Sequence, residues 1–301
     1  MEKQEKIAVI LLIIVAITWG GTFLPVSHTI KLINVPSFLA WRFLFAAFFM
    51  WIIFYKMVKF DKFALILGAI SGFFLFIDFT AQTYALNYIF SSQVAFIVGL
   101  NVIFVPFLAF LLLKQKIQIF SILSAIIAGF GLYFLSNAKN LCFGFGEILA
   151  LLSSFSYAAH VVFTAIAIQK VKILPLVVTQ FLIMSFLSFI TAIFFEKNIS
   201  NYAILGGLEF VFEKTFLLTL IFCVLVATIF AFVVQSWAQK FISSEKTALI
   251  YTLEPVSAGF IGYFMGLENL NLNQIFGAFL IIFAIFLAEF GKKLVNFIFK
   301  N

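Results

Sequence analysis

Arginine occurs once in this chain, at position 42, inside a stretch that carries no other charge from Val35 to Tyr55. Asp78 and Glu254 are placed the same way, each alone in a long apolar run. A charge at the centre of a membrane-spanning helix costs roughly 2.5–3.5 kcal/mol on insertion scales, so such residues need a partner or a task. For Arg42 the task is attraction of an anionic or zwitterionic molecule. The alternative is a guanidinium that reaches the headgroups or pairs with an acid to hold helices together. Asp78 lies at a comparable depth, and the expectation is a structural Arg42–Asp78 ion pair, with a role in gating as the second reading. Glu254 precedes Pro255, which removes a backbone donor and frees a carbonyl near Ile250 and Tyr251. That makes a polar notch beside Tyr251 and Thr252, where Glu254 serves either as a proton-titrating carboxylate or as a neutral group satisfying the kink.

Neutral residues extend the candidate set. Ser153, Ser154, Ser156, Tyr157 and His160 make one run unusually polar, and Ser156 and His160, one turn apart, share a helix face. Trp19, Gln82, Asn101 and Gln235 complete the candidates for a substrate-lined cavity. Each has a plainer reading: interhelical amide bonds worth about 0.6 kcal/mol, or a buried histidine with satisfied ring nitrogens. Two cysteines, Cys142 and Cys223, offer no metal-ligand spacing, and no cofactor or metal is expected.

The elements that must carry these residues are membrane helices. Of the 301 residues 64% are hydrophobic and 10% charged, against about 25% charged in soluble folds. Runs near 7–28, 36–55, 63–83, 92–113, 117–136, 147–168, 173–195, 215–236, 247–267 and 270–289 each approach the roughly 20 residues that cross a bilayer. Asn87, Ser91, Ser92 and Gln93 interrupt an uncharged stretch too long for one span and mark a helical hairpin. The first run, after Lys3 and Lys6, resembles a signal peptide, but Trp19 and Phe23 stand where a cleavage site would need small residues, so it reads as an uncleaved span. The segment from Glu196 to Lys214 reads as the one sizeable external loop, exposed and with at most a short interfacial turn.

Ten spans place both termini on one side. If that side is cytoplasmic, fourteen lysines fall inside and only four outside, Lys31, Lys139, Lys197 and Lys214. This is the positive-inside bias, so both termini are expected in the cytoplasm and the chain in the inner or plasma membrane. The same bias explains the net charge of +7 without nucleic acid as a partner.

Residues 79–134 recur as 232–287, pairing Phe79 with Phe232, Gln82 with Gln235 and Ser91 with Ser244. Lysines change ends between the copies: Asn87 and Gln93 become Lys240 and Lys246, while Lys114 and Lys116 become Leu267 and Asn269. Earlier spans follow in the same order, Trp19 with Tyr157, Pro36 with Pro175 and Arg42 with Gln180 across a one-residue gap. The expected architecture is therefore all-α and membrane-integral, with two inverted five-helix repeats, residues 1–138 and 139–301. Inverted repeats are a recurring transporter design with the site near mid-membrane.

Four stretches resemble the drug/metabolite transporter superfamily in its ten-span EamA-type branch: Thr18-Trp19-Gly20, Pro36 with Arg42, Leu253-Glu254-Pro255 through Gly262 to Gly266-Leu267-Glu268, and Asn273-Gln274-Ile275-Phe276-Gly277-Ala278. The first repeat departs from this pattern, with Asn101-Val102 where the second has Glu254-Pro255. The resemblance implies a secondary transporter of small organic metabolites, with an amino acid or related compound exported by alternating access as the leading expectation. A flippase for lipid-linked intermediates is the alternative. An intramembrane enzyme would need motifs that are missing, since there is no H-E-x-x-H and no G-x-S-x-G. No phosphate-binding loop is present to couple nucleotide. Expected partners are the small-molecule substrate and membrane lipid, with a monomer favoured over a dimer. Gly68-x-x-x-Gly72 and Ala258-x-x-x-Gly262-x-x-x-Gly266 are read as packing faces within one chain.

Overall fold

The apolar runs fold as helices because a bilayer leaves the backbone no water to bond with. A computed structural model describes residues 2–114, 119–135, 144–196, 202–264 and 271–298. Lys116, Lys139, Cys142, Lys197 and the Gly266-Leu267-Glu268 close of the ninth run lie outside the described residues.

The first helices are α1 (Glu2–Gly20), α2 (Phe23–Thr29), α3 (Val35–Ile53), α4 (Lys62–Ala85), α5 (Ser91–Gly99), α6 (Asn101–Leu113) and α7 (Ile119–Leu135). Then come α8 (Phe145–Ala167), α9 (Ile173–Phe195), a hairpin of β1 (Ala203–Leu205) and β2 (Leu208–Glu209), and α10 (Lys214–Val224). A π-helical turn over Leu225–Phe230 joins α10 to α11 (Ala231–Ala238), and α12 (Ser244–Tyr251), α13 (Leu253–Phe264) and α14 (Leu272–Ile298) complete the chain. Among the described residues seven helical segments are long and apolar enough to cross a membrane, with shorter apolar helices at Ile119–Leu135 and Leu272–Ala288. The protein is a multi-pass membrane protein. The expected hairpin at 87–93 is there: α4 ends at Ala85 and α5 begins at Ser91.

The helices pack in a definite pattern. α3 lies against α9 and α7 against α14, while α1 rests on α11, α12 and α13, and α8 on α4, α5 and α6. Small residues set the closest of these contacts. Gly68 and Gly72 seat α4 on Thr179 and Gln180 of α9, and Gly131 and Gly277 bring α7 and α14 together backbone to backbone.

Two expectations need correction. The expected loop is exposed over Ile204 and Leu205 as anticipated, but its described part is a hairpin whose second strand is clasped to the start of α3. Asn34 caps α3 through its Oδ1 to the Ser37 amide at 2.9 Å, and its own amide donates to Glu209 Oε2 at 2.6 Å. Trp41 Nε1 donates to the Glu209 carbonyl at 2.9 Å, and Glu209 is buried. The hairpin turns at Gly206, whose φ of +57° suits glycine.

The second correction concerns Pro255. It does not kink a continuous helix: the chain breaks earlier, at Thr252, whose hydroxyl donates to the Leu249 carbonyl at 2.6 Å. Pro255 then sits in the first turn of α13, where its missing donor costs nothing. Glu254 is thereby carried at a helix start instead of mid-helix, and Asn101 opens α6 in the same manner.

Candidate functional site

A narrow cavity lies where α1, α2, α3, α4, α5, α8 and α13 converge. Its wall includes Trp19, Thr22, Phe23, Arg42, Asp78, Phe79, Gln82, Thr83, Tyr157 and Glu254. The contributing parts are the late turns of α1 and α4 and the early turns of α3 and α13. The cavity therefore occupies the half of the bundle away from the chain's N-terminus.

Arg42 enters from α3 and is buried. Its Nε donates to Thr228 Oγ1 at 2.8 Å, and a terminal nitrogen reaches the Ala227 carbonyl at 3.4 Å. Both acceptors belong to the π-helical turn. Such a turn widens the helix by one residue and leaves backbone groups free for outside donors. Trp19 Nε1 takes the same Ala227 carbonyl at 2.8 Å. The guanidinium carbon also lies 4.9 Å from the Phe79 ring and 5.4 Å from Phe43, within cation–π range.

Asp78 is buried on α4 and accepts from Ser153 Oγ of α8 at 2.6 Å. The expected Arg42–Asp78 ion pair does not form. The π-helical turn supplies the guanidinium with acceptors on the far side, and Ser153 occupies the carboxylate. The two charges share one cavity and feel each other through space.

Glu254 reaches the cavity because Gly20 lets α1 press on the start of α13. A Cβ at Gly20 would collide with Ser257 Oγ and the Glu254 carbonyl. This gives the Thr18-Trp19-Gly20 run a physical meaning, since Gly20 brings the helices into contact and Trp19 then faces the site. No hydrogen bond engages the Glu254 carboxyl among the described residues.

Below the cavity lies an aromatic floor. Trp19 packs on Tyr251 at 4.9 Å, on Phe232 at 5.6 Å and edge-on to Tyr157 at 5.9 Å. Six of the ten candidate residues thus gather at the cavity: Trp19, Arg42, Asp78, Gln82, Tyr157 and Glu254. Asn101, His160, Gln235 and Tyr251 do not line it and are buried elsewhere. His160 stacks on Tyr157 at 5.9 Å, and Gln235 accepts from the Tyr157 hydroxyl at 3.2 Å. Sequence reasoning missed Thr22, Phe79, Thr83 and the Ala227–Thr228 pair. Thr22 is one turn beyond Trp19 and Thr83 follows Gln82, so helical spacing held a signal for both. Nothing in the Leu225–Phe230 sequence marks a π-helical turn.

One guanidinium and two carboxyl groups stand against aromatic faces in this cavity. The model of the EamA-like transporter family matches this chain twice, over residues 6–137 and 144–290. The chain belongs to the EamA-like transporter family. The family is part of the drug/metabolite transporter superfamily, as the Trp19-Gly20 and Glu254-Pro255 stretches suggested. Among its relatives, an uncharacterized transporter of Archaeoglobus fulgidus is 28% identical over 278 residues, covering 92% of this chain and 84% of that one. The uncharacterized transporter YoaV of Bacillus subtilis is 24% identical over 212 residues, 69% of this chain and 70% of its own. A solved crystal structure shares the fold with a TM-score of 0.73 at 14% identity, covering 93% of this chain and 96% of that one.

Proposed function

We propose that this EamA-family membrane protein is a secondary transporter of small organic metabolites, with amino acids and related zwitterions as the substrate class, and that it is not an enzyme. The observation that carries this reading is the charge arrangement of the cavity: Arg42 on one wall, Asp78 and Glu254 on others, and Trp19, Phe79 and Tyr157 between them. A guanidinium suits a substrate carboxylate, while carboxylates beside aromatic faces suit an ammonium group. Two acids next to a single arginine disfavour the phosphate-bearing headgroup that a lipid flippase would handle.

The transport mode we propose is alternating access by two inverted five-span halves, residues 1–138 and 139–301, with both termini cytoplasmic in the cell's inner or plasma membrane. Two observations support it. The family model matches once in each half. The packing also exchanges under the repeat: α1 against the α11–α13 region is answered by α8 against α4–α6, and the equivalent pairs α3/α9 and α7/α14 pack on each other. In this orientation the cavity faces outward.

The test is accumulation of a metabolite panel by cells with and without the protein, alongside Arg42→Ala and Glu254→Gln controls. A zwitterionic metabolite that changes only with the intact protein supports the proposal. A panel unchanged by the protein, together with turnover of a membrane substrate, would overturn it.

A further inference from the structure

Ten described residues bury a side-chain polar atom outside normal hydrogen-bond geometry, among them Asn101, Gln235 and Gln239, and His160, Gln180 and Tyr251, which face only one another or Tyr157. Each orphaned buried polar group costs about 1–3 kcal/mol and calls for an explanation. The repeat supplies one. Cavity residues Thr22 and Arg42 correspond, at the Trp19/Tyr157 and Arg42/Gln180 registers, to His160 and Gln180. At the Phe79/Phe232 register, Gln82, Leu86 and Val98 correspond to Gln235, Gln239 and Tyr251, and Glu254 corresponds to Asn101. Six of the ten orphan-bearing residues are therefore images of residues that line the open cavity.

All six are at least nine-tenths buried, and Trp19 and Tyr157 of the cavity wall pack on Tyr251, Phe232 and His160 behind them. Direct contacts close their end of the bundle. Gln239 Nε2 donates to the Val161 carbonyl at 2.9 Å, tying α11 to α8. The residues matching that pair at the other end, Leu86 and Phe23, both line the cavity. Lys246 and Glu5 add an ion pair at 3.0 Å between α12 and α1.

We propose that these six residues form a second, closed vestibule: an uncharged binding surface of amide, imidazole and phenol groups. It opens toward the termini when the outer cavity shuts, and there takes up water and the polar groups of the same organic solute. This inference rests on the alternating-access reading above. Opposite the site of Arg42, Asp78 and Glu254, a neutral surface holds a zwitterion less firmly.

The test is thiol labelling in sealed membranes, on a background with Cys142→Ser and Cys223→Ser. Thr83→Cys reports the open cavity, and Ser236→Cys, its repeat counterpart, reports the closed vestibule. A membrane-impermeant maleimide is applied to each face in turn. Gln239→Leu places at the closed end the residue type found at the open end and removes the closing bond. It should raise labelling of Ser236→Cys from the terminal face by about two- to tenfold, the range set by losing one ordinary hydrogen bond, and lower labelling of Thr83→Cys from the other. If Thr83→Cys labels from the far face but Ser236→Cys stays unlabelled with and without Gln239→Leu, the second vestibule is refuted and the outward cavity stands. If Thr83→Cys labels from neither face, the transport reading itself fails, and this inference with it.

Discussion

Trp19 and Arg42 donate to one carbonyl, that of Ala227, from different helices and at 2.8 Å and 3.4 Å. The π-helical turn at Leu225–Phe230 is thus a fixed anchor for both a wall of the cavity and its only guanidinium. Arg42 is positioned on the cavity wall by a backbone carbonyl and a hydroxyl, not by an acid.

Thr228→Val keeps the side-chain volume and removes the acceptor of Arg42 Nε. Hydrogen bonds to charged groups contribute about 1.5–3 kcal/mol, so a lower apparent Tm in detergent and weaker substrate binding are expected. Arg42→Lys should not restore function, because an ammonium cannot reach Thr228 Oγ1 and the Ala227 carbonyl with one planar group. Recovery of full transport by Arg42→Lys would show that charge alone matters there.

Arg42→Ala and Asp78→Ala should not rescue one another. A direct ion pair would make the double variant more stable than the worse single one, since each single change leaves a buried charge unpaired. With Asp78 bonded to Ser153 and Arg42 to Thr228, the double variant is expected to be at least as unstable as either. Folded yield by fluorescence-detected size exclusion reads the outcome, and rescue would reinstate the pair.

Gly20→Ala should reduce both folded yield and transport. The added methyl meets Ser257 Oγ and the Glu254 backbone, and overpacking of this kind costs about 1–3 kcal/mol. Ser257→Gly should recover part of the loss by removing one of the two obstacles. A Gly20→Ala variant with normal thermal stability would contradict the close approach of α1 and α13.

Glu254 lines the cavity with its carboxyl unbonded among the described residues, which motivates testing it in coupling. Glu254→Gln should weaken substrate binding and also remove the response of transport to an imposed pH gradient. Equal responses in both proteins would remove Glu254 from coupling.

The membrane helices were legible because runs of apolar residues have no other way to fold in a bilayer, and the break at Asn87–Gln93 was legible from its polar residues. The glycine seats at Gly68 and Gly72 were readable from spacing. The π-helical turn was not, since it depends on donors from α1 and α3 that are distant in sequence. The hairpin at Ala203–Glu209 was hidden for a similar reason: its strands are too short to declare themselves, and Asn34, Ser37 and Trp41 hold them in place. Helical spacing put Ser156 and His160 on one face and grouped them with Tyr157 as candidate cavity lining. It could not reveal that Tyr157 closes the cavity while His160 lies beyond the aromatic floor, because depth relative to other helices is a tertiary property. The ion pair expected of Arg42 and Asp78 failed on the same ground, as each found a nearer neutral partner.

The central claim is that the cavity around Arg42, Asp78 and Glu254 is where substrate binds. Counterflow of labelled amino acids into proteoliposomes of the purified protein tests it most directly, comparing the unmodified chain with Arg42→Ala and Asp78→Asn variants of matched fold. Asp78→Asn keeps an acceptor for Ser153, so its loss reports charge. The expected result is saturable exchange by the unmodified protein that falls by at least about tenfold in both variants, as loss of one charge-assisted contact implies. Unchanged exchange in both folded variants would contradict the account.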